Sequence, residues 1–127
     1  MPGRVLLIED EPNIAEAIRF VLGREGWSVV THENGADAVA RVRGVAPDVL
    51  ILDVMLPNRS GYDILRELRE DPATARLPVL MLTARGQARD RETAEEIGVS
   101  RFMTKPFSNR ELVETVRELG VAAGVRE

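Results

Sequence analysis

Five residues of this chain have the types and the setting to do chemistry together: Glu9 and Asp10, Asp53, Thr83 and Lys105. Three carboxylates, a hydroxyl and an ammonium make an oxygen-rich site with one built-in cation. Each of them follows an apolar or mixed run. Val5-Leu6-Leu7-Ile8 leads into Glu9-Asp10-Glu11, Val49-Leu50-Ile51-Leu52 into Asp53, Val79-Leu80-Met81-Leu82 into Thr83, and Arg101-Phe102-Met103-Thr104 into Lys105. An unbroken apolar run reads as a strand buried on both faces, and an acid at its end stands where the crevice of a parallel sheet opens. We read Asp53 as a phosphoryl acceptor, to be weighed against the plainer alternative of a capping or solvated acid. If the ends of these runs meet, their carboxylates need compensation, since two unit charges about 4 Å apart repel by roughly 4 kcal/mol at an effective dielectric near 20. Lys105 and a divalent cation would supply it. With oxygen the only donor on offer, the ion expected is a hard one, Mg²⁺.

The elements that must position these groups alternate along the chain. Pro12 suits the first turn of a helix whose stripe is Ile14, Ala17, Ile18, Val21 and Leu22, ended by Gly23 or Gly26. Trp27 to Thr31 reads as a mixed strand nearer a sheet edge, Asn34-Gly35 as a turn, and about Ala36 to Val42 as a helix closed by Gly44 and Pro47. After Asp53 a loop reaches Ser60, which with Asp63 marks the start of a helix carrying Ile64, Leu65 and Leu68. The segment from Gly86 to Ile97 is helical with a thin apolar face of Ala88, Ala94 and Ile97. The last helix starts at the capping box Ser108 to Glu111 and buries Leu112, Val113, Val116 and Leu119. Five strands alternating with five helices give an α/β fold, a doubly wound five-stranded parallel sheet covered on both faces. The flavodoxin-like strand order 2-1-3-4-5 would place its switch point between the strands that bear Asp10 and Asp53.

Bulk properties narrow the function. The 127 residues fit one domain, and no apolar run approaches the roughly 20 residues of a membrane span. A cytoplasmic protein without a signal peptide is expected. There are no cysteines, which removes disulfide, thiol and thiolate-zinc chemistry, and the single His32 cannot build a multi-histidine metal site. His32 reads as a strand-end residue, Trp27 as packing, and Arg85, Arg89 and Arg91 as a solvated helix face. A net charge of −4, from 17 basic and 21 acidic residues, speaks against direct nucleic-acid binding by this segment.

Taken together, Glu9-Asp10, Asp53 with Met55-Leu56-Pro57 and Gly61, Thr83-Ala84 and Lys105-Pro106-Phe107 resemble the receiver (CheY-like) domain of two-component response regulators, in the family's order over nearly the whole chain. The resemblance implies a signalling switch rather than an enzyme, with a receiver domain over residues 1–120 and a tail or linker start over 121–127. It implies phosphoryl transfer to Asp53 from a sensor histidine kinase or a histidine phosphotransfer protein. In that scheme Asp10 binds Mg²⁺ directly, Glu9 mainly through water, and Met55 through its backbone carbonyl. Thr83 and Lys105 contact phosphoryl oxygens, Lys105 pairs with the unphosphorylated Asp53, and the Lys105-Pro106 bond is cis. Thr83 and Phe102 form the switch, although Phe102 lacks the hydroxyl of the family's frequent tyrosine. Met55 and Arg85 flank the route of the water that removes the phosphoryl group. The surface of the fourth helix, fifth strand and fifth helix is expected to act on a downstream protein or effector domain, in a monomer able to dimerise there on phosphorylation. No effector is read after residue 120, which leaves a stand-alone regulator or the receiver of a longer protein. A haloacid-dehalogenase-type hydrolase would want an acid where Met55 stands, and a flavodoxin a phosphate loop where Glu9-Asp10-Glu11 would repel one.

Overall fold

The computed structural model describes residues 3–84 and 88–125. The elements follow in strict alternation: β1 (Arg4–Ile8), α1 (Pro12–Arg24), β2 (Ser28–His32), α2 (Ala38–Val45), β3 (Val49–Asp53), α3 (Gly61–Glu70), β4 (Val79–Thr83), α4 (Ala88–Ile97), β5 (Arg101–Thr104) and α5 (Asn109–Ala122). All strand pairs are parallel, in the order β2-β1-β3-β4-β5. The doubly wound fold and the strand order read from the sequence are those observed. Arg85 and Gly86, both named above, lie outside the described residues.

Alternation along the buried strands builds two cores. Leu6, Ile8, Leu50, Leu52, Val79 and Met81 face one side of the sheet, where they pack with Val39 and Val42 of α2, Ile64, Leu65 and Leu68 of α3, and Ala94 of α4. Val5, Leu7, Val49, Ile51, Leu80 and Leu82 face the other, against Ile18 and Leu22 of α1 and Leu112, Val116 and Leu119 of α5. Every residue of β3 and β4 is buried. A one-residue slip of either strand would exchange its two side-chain sets, so the register is strongly specified.

That register sets the height of each functional side chain. Ile8 lies opposite Leu52, Leu52 opposite Met81, Asp53 opposite Leu82, and Thr83 opposite Thr104. Backbone bonds carry the ladder past the strand ends: Glu9 N–H to the His32 carbonyl at 2.9 Å, Val54 N–H to Leu82 at 2.9 Å, and Lys105 N–H to Thr83 at 2.7 Å.

Several local readings need correcting. Trp27 precedes β2, which runs one residue further, to His32. Helix α2 starts later than read, because the Asn34 side chain accepts from Ala36 N–H at 2.7 Å and holds that stretch as a turn. It also ends later, since Gly44 stays helical and Ala46, left-handed with φ 50°, is what stops it. Ala17 and Ala88 are exposed rather than part of buried stripes. Ile18 and Leu22 carry the burial in α1, and Ala94 carries it in α4. Ser60 and Ser108 do cap α3 and α5, accepting from Asp63 N–H at 3.2 Å and Glu111 N–H at 3.0 Å.

Candidate phosphoryl-acceptor site

The carboxyl ends of β1, β3, β4 and β5 bring Glu9, Asp53, Thr83 and Lys105 to one edge of the sheet. Glu9, Asp53 and Thr83 are all buried, at 2%, 4% and 3% exposure, whereas Asp10 faces solvent. Lys105 Nζ reaches between the two buried acids, 3.1 Å from Asp53 Oδ2 and 3.1 and 3.3 Å from Glu9 Oε1 and Oε2. The Met55 backbone N–H donates to Asp53 Oδ1 at 3.3 Å. Each oxygen of Asp53 thus has a donor on it, which fixes the plane of the carboxylate.

Glycine makes the approach possible. A Cβ on Gly61 would collide with the Asp53 backbone carbonyl, and Gly61 N–H donates to the Val54 carbonyl at 2.8 Å. The start of α3 is thereby pressed against the end of β3. The Lys105-Pro106 peptide is cis, as the resemblance implied.

Two buried carboxylates with one lysine are an unbalanced set. Burial is the main reason that Glu9 is pushed up from 4.5 to about 8, with the hydrogen bond and charge of Asp53 adding to it and Lys105 opposing it. Burial alone would lower the Lys105 ammonium, but its bonds to Asp53 and Glu9 and their charges outweigh that and raise it. One carboxylate oxygen from each of Glu9, Asp10 and Asp53 lies within 4.8 Å of the others. This all-oxygen donor set, crowded and short of positive charge, fits a hard divalent cation.

The chain matches a family model, that of the response regulator receiver domain, over residues 5–117. This chain is a receiver domain of the response regulator family. It is 45% identical over 118 residues to the transcriptional regulatory protein TrcR of Mycobacterium tuberculosis, covering 93% of this chain and 45% of that protein. It is 40% identical over 117 residues to the phosphate regulon transcriptional regulatory protein PhoB of Escherichia coli, covering 92% of this chain and 51% of the relative. The receiver domain therefore spans about half the length of these curated relatives. Among solved structures, the signal receiver domain of a histidine kinase from Syntrophus aciditrophicus superposes with a TM-score of 0.88 at 32% identity, covering 98% of this chain and 95% of that one. The chemotaxis response regulator CheY4 of Vibrio cholerae gives a TM-score of 0.87 at 25% identity, with coverages of 94% and 99%.

Three more residues named from the sequence take the following places. Met55 has an exposed side chain, 64% accessible, beside Asp53. Phe102 is half-buried on β5 and packs on the α2–α3–α4 core. His32 ends β2, its Nε2 2.7 Å from Asp37 Oδ1, and that hydrogen bond holds the exposed Asp37 carboxyl below its usual range. Sequence reasoning missed two features. Glu9 binds Lys105 directly with both oxygens. Arg91, read as solvated, lies over the Phe102 ring with its guanidinium carbon 5.1 Å from the centroid. Neither had a local signal, because each contact joins elements distant in sequence.

Proposed function

We propose that Asp53 is the phosphoryl acceptor of this receiver domain, taking the group from a phosphohistidine of a sensor histidine kinase or histidine phosphotransfer protein. In the step, a carboxylate oxygen of Asp53 forms the new P–O bond while the P–N bond to histidine breaks. The observation that carries this reading is the Lys105 ammonium set 3.1 Å from Asp53 Oδ2 at the sheet's open edge. Lys105 then bonds one phosphoryl oxygen, and Thr83, at the end of β4, bonds another. Glu9, Asp10, Asp53 and the backbone carbonyl of Met55 would hold Mg²⁺, which supplies charge neutralisation to the transferring group.

Phosphorylation draws Thr83 toward the site and lets Phe102 turn inward, so that the α4–β5–α5 surface changes. That surface acts on a downstream protein or an effector domain, and phosphorylation-dependent pairing of two receivers uses it too. The names of TrcR and PhoB, both transcriptional regulatory proteins, support an output in transcription. A two-state element needs only a few kcal/mol of differential contact to shift in this way.

Incubation with a small phosphodonor and Mg²⁺ should add one phosphate, and Asp53→Asn should abolish the addition. Labelling that survives the substitution places the acceptor elsewhere. Backbone NMR with a phosphoryl mimic should show shifts concentrated between residues 83 and 110. Slow autodephosphorylation belongs to the same reading: the thioether of Met55 offers the attacking water no hydrogen-bonding group to orient it. Met55→Asn should shorten the phosphoryl lifetime severalfold, as measured by loss of label; an unchanged lifetime removes Met55 from that role.

A further inference from the structure

Helix α4 has the least to hold it on the sheet. Ala94 is its only fully buried side chain among the described residues, so its seat depends on contacts at its rim. In its first turn the Tyr62 hydroxyl donates to the Asp90 carbonyl at 3.3 Å, and just past its end the Gly98 carbonyl accepts from Arg69 Nε at 2.8 Å. Both of those ties run to α3. Toward β5 the tie is the Arg91 guanidinium over the Phe102 ring at 5.1 Å, inside the roughly 6 Å at which a cation is drawn to an aromatic face. Among the described residues no carboxylate lies within ion-pair distance of Arg91.

We propose that Arg91 is a latch on Phe102: it holds the ring in its present place in the unphosphorylated protein and frees α4 when the ring turns inward. The proposal rests on the reading of Asp53 as acceptor and of Thr83 and Phe102 as the switch. A ring that moves into the space behind Thr83 takes its face away from the guanidinium, so the contact exists in one state of the switch and is lost in the other. That is the differential contact a two-state element requires. By linkage, whatever the latch contributes to the resting state must be overcome by any group that binds at Asp53. Arg91 thus tunes the resting balance from the far side of β5, without touching the acceptor.

The test is a titration of beryllofluoride with Mg²⁺, followed by amide NMR, on wild type, Arg91→Ala, Phe102→Leu and the double variant. Losing a cation–π contact of exposed strength should tighten apparent binding about two- to fivefold in Arg91→Ala. The gain should vanish when Phe102→Leu is already present. Arg91→Gln, which keeps the stem without the charge, should behave like the alanine variant. Without the mimic, Arg91→Ala should shift the Phe102 ring resonances and speed amide exchange in α4. Unchanged affinity, an equal gain in the Phe102→Leu background, or unmoved ring resonances would overturn the latch while leaving Asp53 as acceptor. A wild-type protein that takes up no beryllofluoride overturns the acceptor reading and the latch with it.

Discussion

Glu9 shows how one residue couples the site to the stability of the fold. Its carboxyl is raised to about 8 in the folded chain, first by burial and then by Asp53, from 4.5 when free. Between those values the folded state holds a proton that the unfolded state has released, so raising the pH through this window costs stability, by up to about 1.4 kcal/mol per pH unit. With a chelator present, the unfolding free energy of wild type relative to Glu9→Gln should therefore fall from pH 5 to pH 8. Saturating Mg²⁺ should flatten that difference, because the ion would keep Glu9 ionised in the folded protein. Paired urea titrations at three pH values check this, and a difference that rises with pH would contradict it. The carboxylates of the site were legible as types at strand ends. Their partition was not: nothing local in Glu9-Asp10 says that the first is buried on Lys105 and the second solvated.

At the scale of elements, the joints around β3 carry the sharpest consequences. Gly61 starts α3 against the carbonyl of Asp53, where no Cβ fits. Gly61→Ala should cost about 1–3 kcal/mol of stability through overpacking and displace Asp53 as well, read by urea unfolding and by the rate of phosphodonor labelling. Ala46 is the opposite case, a residue with φ 50° at the end of α2 where glycine is at ease. Ala46→Gly should gain about 1 kcal/mol by relieving the left-handed strain, seen as a higher urea midpoint with an unchanged slope. The elements themselves were largely readable, since β3 and β4 are continuous apolar runs with acids or hydroxyls at their ends. What escaped was decided by one side chain folding back on the chain and by backbone conformation at a helix end. The Asn34 carboxamide delays α2, and a helical Gly44 defers its end to Ala46.

Over the whole molecule, the sheet divides the work. Chemistry gathers at the carboxyl ends of the strands, while the amino ends are closed by packing and by structural hydrogen bonds such as Arg4 N–H to Asp48 Oδ2 at 2.8 Å and Val79 N–H to Ser100 Oγ at 3.0 Å. The single tryptophan, Trp27, sits at that closed end, just before β2, half-buried between Gly3 and Gly120 of α5, where an added Cβ on either glycine would strike its ring. The five residues of β2 set it about 16 Å along the strand from the acidic cluster, at roughly 3.3 Å per residue. Its indole meets α5 at Gly120, beyond the stretch between residues 83 and 110, so it should gauge folding with little response to signalling. Beryllofluoride and Mg²⁺ should leave its emission wavelength and intensity unchanged, whereas urea should red-shift it in one step together with the loss of helical circular dichroism. Emission that moved on addition of the mimic would mean that the change in α5 reaches its far end at Gly120. The chain carries its own reference channel: fluorescence from Trp27 certifies that each variant is folded in the same cuvette in which the switch is being driven.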